Sequence, residues 1–320
     1  MTPDDFAGLK AAFDELAARR DAGPSGTMII DSGHPGSTVG ITVLTHGNEP
    51  AGLAAWRSLT RDGALRLIKG RIIFVLNNLK AAESYFALPL DAPFEEKQKT
   101  RIFERNMNRL PRDLRDHDSA EAYEIARALE LLPVWRLFDI GFDIHTTSQA
   151  APPMLCVEGA TDAALYRGMP IKDVIVGFDA VARDAVVTGF LGEPGSAAQS
   201  FSMEAGEHED TASWRMAETA IRILLGNLGM AEPAGGATPA RRVYHLTGSL
   251  FFPDAEYRTT EIFPNFAPMI SGQVLATGPG PDLIAPHDGH VLMCPKSGQL
   301  ADIREEAVFL SAPMQEMAAG

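Results

Sequence analysis

Cysteine is scarce: the 320-residue chain has only Cys156 and Cys294, far apart and each in an apolar or proline-flanked setting. That excludes a disulfide-stapled scaffold. Neither thiol has a partner at metal-ligand spacing, so both read as buried structural residues. A chain of this length buries a full core without staples. The opening, MTPDDFAGLK, does not look like a secretory signal, and a reducing, cytoplasmic compartment is the expectation. No apolar run approaches the roughly 20 residues that cross a bilayer, so no membrane partner is expected. Positive charge is also short: 28 Lys and Arg face 42 Asp and Glu, for a formal net charge of −14. A phosphate backbone would be repelled by such a surface, which argues against nucleic acid. A small anionic ligand would have to be met by a local cluster of cations, against the field of the whole molecule.

What is present is ordinary for a globular protein: 45% hydrophobic and 22% charged residues, in a length that suits one large domain and a smaller one. Residues 3–20 have the spacing of an amphipathic helix, with Thr2 as cap, Pro3 in the first turn and Phe6, Leu9, Phe13 and Leu16 on one face. Short apolar runs at 27–31, 38–45 and 71–77 predict strands, and 51–60 predicts a helix between the last two. Strand, helix, strand in this rhythm predicts a βαβ crossover and a largely parallel sheet flanked by helices. A helix over 119–132, a strand over 138–145, runs at 154–158 and 172–178, a strand near 199–204 and a helix around 210–228 continue the alternation. Segment 80–117 has scattered apolar residues and high charge, and reads as a long functional or mobile loop. The Pro/Gly/Ala-rich stretch 231–240 marks a linker. The expected organisation is an α/β domain over 1–230 and a β-rich C-terminal domain over 241–320, built of short runs separated by Gly and Pro.

Four segments carry chemistry. THGNEPAG (45–52) follows a strand and precedes a helix, placing His46 and Glu49 at a strand's carboxyl end, where open α/β sheets bind ligands. An imidazole and a carboxylate three residues apart can converge on zinc, although His-x-x-Glu alone arises often by chance. His145 closes the run FDIGFDIH and is the best third ligand; the plainer reading is a histidine bonded to nearby hydroxyls. Asp143, two residues earlier, either orients His145 or is unrelated to it. In SMEAGEHED (202–210), Glu204 ends an apolar run and could move protons for a metal-activated water. Its rivals Glu207, Glu209 and Asp210 also suit the first turn of a helix, and His208 is either a supporting partner or a bystander. In TRIFERNMNR (100–109), Arg101, Arg105, Asn108 and Arg109 make a plausible carboxylate clamp or an ordinary solvated loop.

Taken together, these segments resemble the succinylglutamate desuccinylase/aspartoacylase family, zinc enzymes related to the metallocarboxypeptidases. HGNE matches the family's first zinc motif, Asp143 to Thr147 its third-ligand segment, Glu204 and Gly206 its catalytic Glu-x-Gly, and Thr100, Arg101 and Asn106-Met107-Asn108-Arg109 its clamp. The resemblance implies a zinc-carboxypeptidase-like mixed α/β sheet with a smaller β-rich C-terminal domain that narrows the entrance. It implies one zinc ion per chain on His46, Glu49 and His145, with Glu204 as general base and acid. By it, Arg101 polarises the scissile carbonyl, and Asn108 and Arg109 hold a substrate carboxylate. Asn106 stands where the family's clamp has Asp, and GEPGSAAQS (192–200) lacks the arginine of the aspartate-specific members. The family's C-terminal tyrosine has no clear match, the nearest segment, REEAVFL, offering Val308 or Phe309.

The expected function is therefore zinc-dependent hydrolysis of the amide of a small, anionic N-acyl amino acid or related acylated amine. A zinc carboxypeptidase acting on peptides and a non-catalytic small-anion-binding member of the fold are the alternatives. No self-complementary surface pattern is legible; a homo-oligomer is compatible with the sequence.

Overall fold

The computed structural model describes residues 1–296 and 305–318. The chain opens with α1 (Pro3–Ala18), whose Thr2 cap accepts from the Asp5 amide while Asp5 accepts from the Thr2 amide. Leu9, Phe13 and Leu16 are its buried stripe, and it stops two residues earlier than its periodicity suggested. There follow β1 (Thr27–Asp31), β2 (Thr38–Val43), α2 (Ala51–Thr60) and β3 (Arg71–Leu76). Next come α3 (Leu79–Ala87), α4 (Phe94–Lys99), α5 (Tyr123–Trp135), β4 (Ile140–Thr147), β5 (Met154–Val157) and β6 (Asp173–Val176). The α/β part closes with α6 (Phe178–Val181), β7 (Gln199–Glu207) and α7 (Thr211–Asn227).

Strands β3, β2, β4 and β7 lie side by side and parallel, with β1 antiparallel on the outer edge of β3. Successive residues of a strand point to opposite faces, and β3 shows both faces covered. Ile72, Phe74 and Leu76 join the core formed with α1, α2 and α7, whereas Ile73 and Val75 join the core formed with α5. That two-sided burial is why the β3 run Ile72–Leu76 is apolar without alternation. On the other side of β7, β5 runs antiparallel, and β6 then pairs parallel with β5.

The C-terminal region is antiparallel and β-rich. Its first strand, β8 (Arg241–Leu250), pairs parallel with β6 through Arg242–His245 and antiparallel with β14 (Val308–Ser311) through Leu246–Leu250. One sheet thus passes from the α/β part into the C-terminal part, through β14 to β13 (Gly289–Leu292) and β10 (Ala267–Met269). Strands β9 (Arg258–Thr259), β11 (Val274–Thr277) and β12 (Leu283–Ile284) form a small separate sheet, and β15 (Gln315–Met317) edges β8. Among the described residues no helix is long and apolar enough to cross a membrane.

Several expectations are corrected. Segment 80–117 is not one loop: it holds α3, capped by Asn78 Oδ1, then α4 and a 3-10 turn at Leu114–Asp116. Its irregular part is tied down by the fully buried Glu124 of α5, which accepts from the amides of Phe103, Glu104 and Arg105 and from Asn78 Nδ2. Helix α5 starts later than expected and runs through Pro133 to Trp135, whose indole donates to Asn77. Strand β4 continues past His145 to Thr147 because its pairing with β7 continues, so His145 lies within a strand. For the same reason Glu207 ends β7 rather than opening a helix; α7 begins at Thr211, capped by Asp210.

Candidate metal centre

Parallel β2, β4 and β7 end side by side, and their carboxyl ends assemble the site. The chain leaves β2 through Leu44, a fully buried residue with φ of 52°, a conformation non-glycine side chains adopt only at a cost. That turn swings Thr45 and His46 toward β4. Gly47 follows because a Cβ there would sit 2.3 Å from the Ala81 carbonyl group and 2.4 Å from the Thr100 carbonyl oxygen. The clamp loop packs on this backbone, with the Gly47 amide donating to the Arg101 carbonyl at 3.0 Å.

The two histidines meet across one carboxylate. His46 Nδ1 lies 2.8 Å from Glu49 Oε1, and His145 Nδ1 lies 2.9 Å from Glu49 Oε2. All three residues are buried, and one ligand atom from each lies within 4.8 Å of the others. The opposite ring nitrogens fix the tautomers. His145 Nε2 donates to Asp143 Oδ2 at 2.7 Å, and His46 Nε2 donates to Asn106 Oδ1 at 3.0 Å. The Nδ1 atoms, which face Glu49, are therefore the positions at which a cation would replace a proton, the arrangement expected of histidine ligands held by a carboxylate or amide behind them. Asp143 is itself fixed, its Oδ1 accepting from Thr42 at 2.7 Å and Thr45 at 2.9 Å, while Asn77 donates to Thr45.

Glu204 stands directly opposite His145 in the β4–β7 register. The residue opens partly to the cavity, yet its Oε2 is enclosed and has no hydrogen-bond partner among the described residues. A buried carboxylate oxygen left unpaired is costly and points to a missing partner. Burial, joined by the charges of Glu49 and Asp143, raises the Glu204 pKa to about 8 against the pull of His145 and Arg101. Burial also opposes ionisation of Glu49, but the two histidines hold it well below the usual carboxylate range. His145 shows the converse: burial would strip its proton, whereas Asp143 and Glu49 hold its pKa well above the ordinary histidine value. Two imidazoles and a carboxylate with one face open suit zinc, and the buried carboxylates around them are short of positive charge.

Arg101 joins the group, Nη1 donating to Glu49 Oε1 at 3.0 Å. Asn108 and Arg109 line the same cavity, but their side chains are engaged, with the Val187 amide and with Glu306. Arg105 turns away to pair with Asp184 at 2.9 Å. Glu209 pairs with Lys97 at 2.7 Å, outside the group. His208 is a buried supporting residue, its Nδ1 2.7 Å from Thr146 Oγ1, and burial lowers its pKa to about 4. Cys156 and Cys294 are free, buried thiols in the cavity wall. Sequence reasoning missed Glu158, Glu305 and Glu306, which also line the cavity. Nothing in their local pattern separates them from surface acids; only strand pairing brings them in.

No curated protein matches the chain in sequence. Solved structures do. Succinylglutamate desuccinylase from Vibrio parahaemolyticus superposes with a TM-score of 0.68 at 15% identity, over 92% of this chain and 90% of that one. Succinylglutamate desuccinylase from Vibrio cholerae gives 0.67 at 15% identity, over 97% and 98%. Murine aminoacylase 3 gives 0.59 at 20% identity, over 89% and 98%. At these identities the likeness establishes the shared fold. The profile of the Succinylglutamate desuccinylase/Aspartoacylase catalytic domain matches residues 35–220. That match spans more than half of the chain and runs from before His46 to beyond Glu204, so the chain belongs to the succinylglutamate desuccinylase/aspartoacylase family.

Proposed function

We propose that the protein is a zinc-dependent amidohydrolase that removes the acyl group from a small N-acyl amino acid or related acylated amine. The observation that carries this reading is the convergence of His46, Glu49 and His145 opposite an enclosed, unpaired Glu204 oxygen. His46 Nδ1, His145 Nδ1 and Glu49 would hold one zinc ion per chain. Bound there, zinc supplies Lewis-acid polarisation of a carbonyl and lowers the pKa of water toward neutrality. Glu204 takes the proton of the attacking water and delivers it to the departing nitrogen. Arg101, anchored by Glu49, donates to the carbonyl oxygen as negative charge builds on it. Asp143 and Asn106 keep both imidazoles in the required tautomer.

The cavity, about 480 Å³, is sized for a small molecule. Asn265, Met293, Glu305, Glu306 and Phe309 of the C-terminal region wall it, which favours a small acylated amine over a peptide chain. The test is a panel of N-acyl amides beside short peptides, with zinc content measured. Glu204→Gln is expected to retain zinc and lose about 100-fold or more of kcat. Full activity of that variant would remove Glu204 from its role, and turnover of peptides alone would replace the deacylase reading with a carboxypeptidase.

A further inference from the structure

The two histidines of the metal centre are backed differently. His145 Nε2 donates directly to the Asp143 carboxylate at 2.7 Å. His46 Nε2 donates at 3.0 Å to Asn106 Oδ1, an uncharged amide. A carboxylate behind an imidazole raises its basicity as a metal ligand, and an amide does so less. For His46 the charge lies one group further on. Asn106 Nδ2 donates to Glu305 Oε1, so His46, Asn106 and Glu305 form one chain of hydrogen bonds from the metal ligand to a carboxylate.

The Asn106 amide is held in one orientation. The residue is buried at 6% exposure, and its Oδ1 accepts from the Asn108 amide at 2.8 Å as well as from His46. Exchanging oxygen and nitrogen would set an NH2 group against the imidazole N–H and the Asn108 amide, and would turn an oxygen onto the Glu305 carboxylate. A carboxylate that accepts from one end of an amide makes the oxygen at the other end a stronger acceptor, the cooperative effect of chained hydrogen bonds. Glu305 is itself placed by its neighbour. Glu306 is buried, its Oε2 accepting from Arg109 Nε at 2.8 Å and its Oε1 from the Arg183 amide at 3.0 Å. The acid behind one metal ligand therefore comes from the C-terminal region, just before β14.

We propose that Glu305 is a positioning residue for the metal centre: acting through Asn106, it supplies His46 with the negative charge that Asp143 gives His145 directly. This rests on the zinc site of the deacylase reading. The test measures zinc affinity, by competition with a chromophoric chelator, for the wild type, Glu305→Gln, Asn106→Asp and the double variant. Glutamine keeps an oxygen for Asn106 Nδ2 and removes only the charge. Glu305→Gln is expected to weaken zinc binding about tenfold. With Asn106→Asp a carboxylate stands directly behind His46, beside a like charge on Glu305. There the same Glu305→Gln change is expected to leave the affinity equal or to raise it. A general loosening of the cavity wall would not reverse in this way. An affinity of the single Glu305→Gln variant within about twofold of the wild type overturns the proposal, as does an equal loss in both backgrounds. Where the single variant does not fold, the two Asn106→Asp chains decide: a loss on adding Glu305→Gln overturns the proposal, and no loss upholds it. A wild type that binds no zinc removes the metal reading and this inference with it, whereas zinc binding indifferent to Glu305 removes this inference alone.

Discussion

Asp143→Asn isolates what holds His145 in its metal-binding tautomer. The Asp143 carboxylate is fully buried and fully used: Oδ2 accepts from His145 Nε2 at 2.7 Å, and Oδ1 accepts from Thr42 and Thr45. An asparagine keeps the oxygen that two hydroxyls require, which turns its Nδ2 toward His145. Two N–H donors would then face each other, and the imidazole relieves the clash by moving its proton to Nδ1, removing the lone pair aimed at the site. Loss of such an orienting partner weakens metal binding by about 10- to 100-fold, or about 1.4–2.7 kcal/mol. A zinc ion bound as proposed would stabilise the fold by mass action, so at saturating zinc for the wild type the variant should lose a similar amount of metal-dependent stabilisation. A competition titration against a chromophoric chelator gives the first quantity, and urea unfolding with and without zinc gives the second. A zinc affinity within about twofold of the wild type, in a folded variant, would refute the orientation argument.

The remaining predictions concern the supports of the site. His208 has a pKa of about 4 in the folded protein against an ordinary 6.5, so on acidification the unfolded chain takes that proton first. Stability is then lost as pH falls from 6.5 to about 4, by about 3 kcal/mol at most, and His208→Asn should flatten that limb in urea titrations; an unchanged slope would exclude it as the source. Gly47→Ala places a Cβ against backbone that cannot yield, and should cost about 2 kcal/mol or more together with zinc affinity; a native melting temperature with native zinc binding would contradict the close approach. Glu124→Gln sets an amide donor among the loop amides it now accepts from, and should cost about 2 kcal/mol while loosening the loop that carries Arg101. Its KM for a turned-over amide should rise, and a variant with unaltered stability and KM would mean the loop is held by other contacts.

The sequence carried the sheet, and the site within it, wherever the signal was local. Strands β2 and β3 lack polar alternation because both faces are covered, and His46 with Glu49 falls at a strand end that the pattern marks. What it did not carry depends on partners distant in the chain. Segment 80–117 looked structureless because its amides are satisfied by Glu124, a residue on a later helix. Asp143 could not be separated from a bystander until its carboxylate was seen between His145 and two threonines. Glu305 and Glu306 had no reading at all, since their role follows from a strand that enters the fold about 200 residues after the clamp they touch.

Charge compensation separates the two ends of the cavity. At the metal end, Glu49, Asp143 and Glu204 face Arg101 and two imidazoles: burial foremost, then Glu49 and Asp143, raises the Glu204 pKa, and Asp143 and Glu49 raise that of His145 against its burial, so the group carries a deficit of positive charge. A divalent cation in that donor set would remove the deficit, returning His145 to its neutral form and favouring the ionised Glu204 that proton abstraction requires. At the clamp end the balance is already struck, because Glu306 meets Arg109 within the protein.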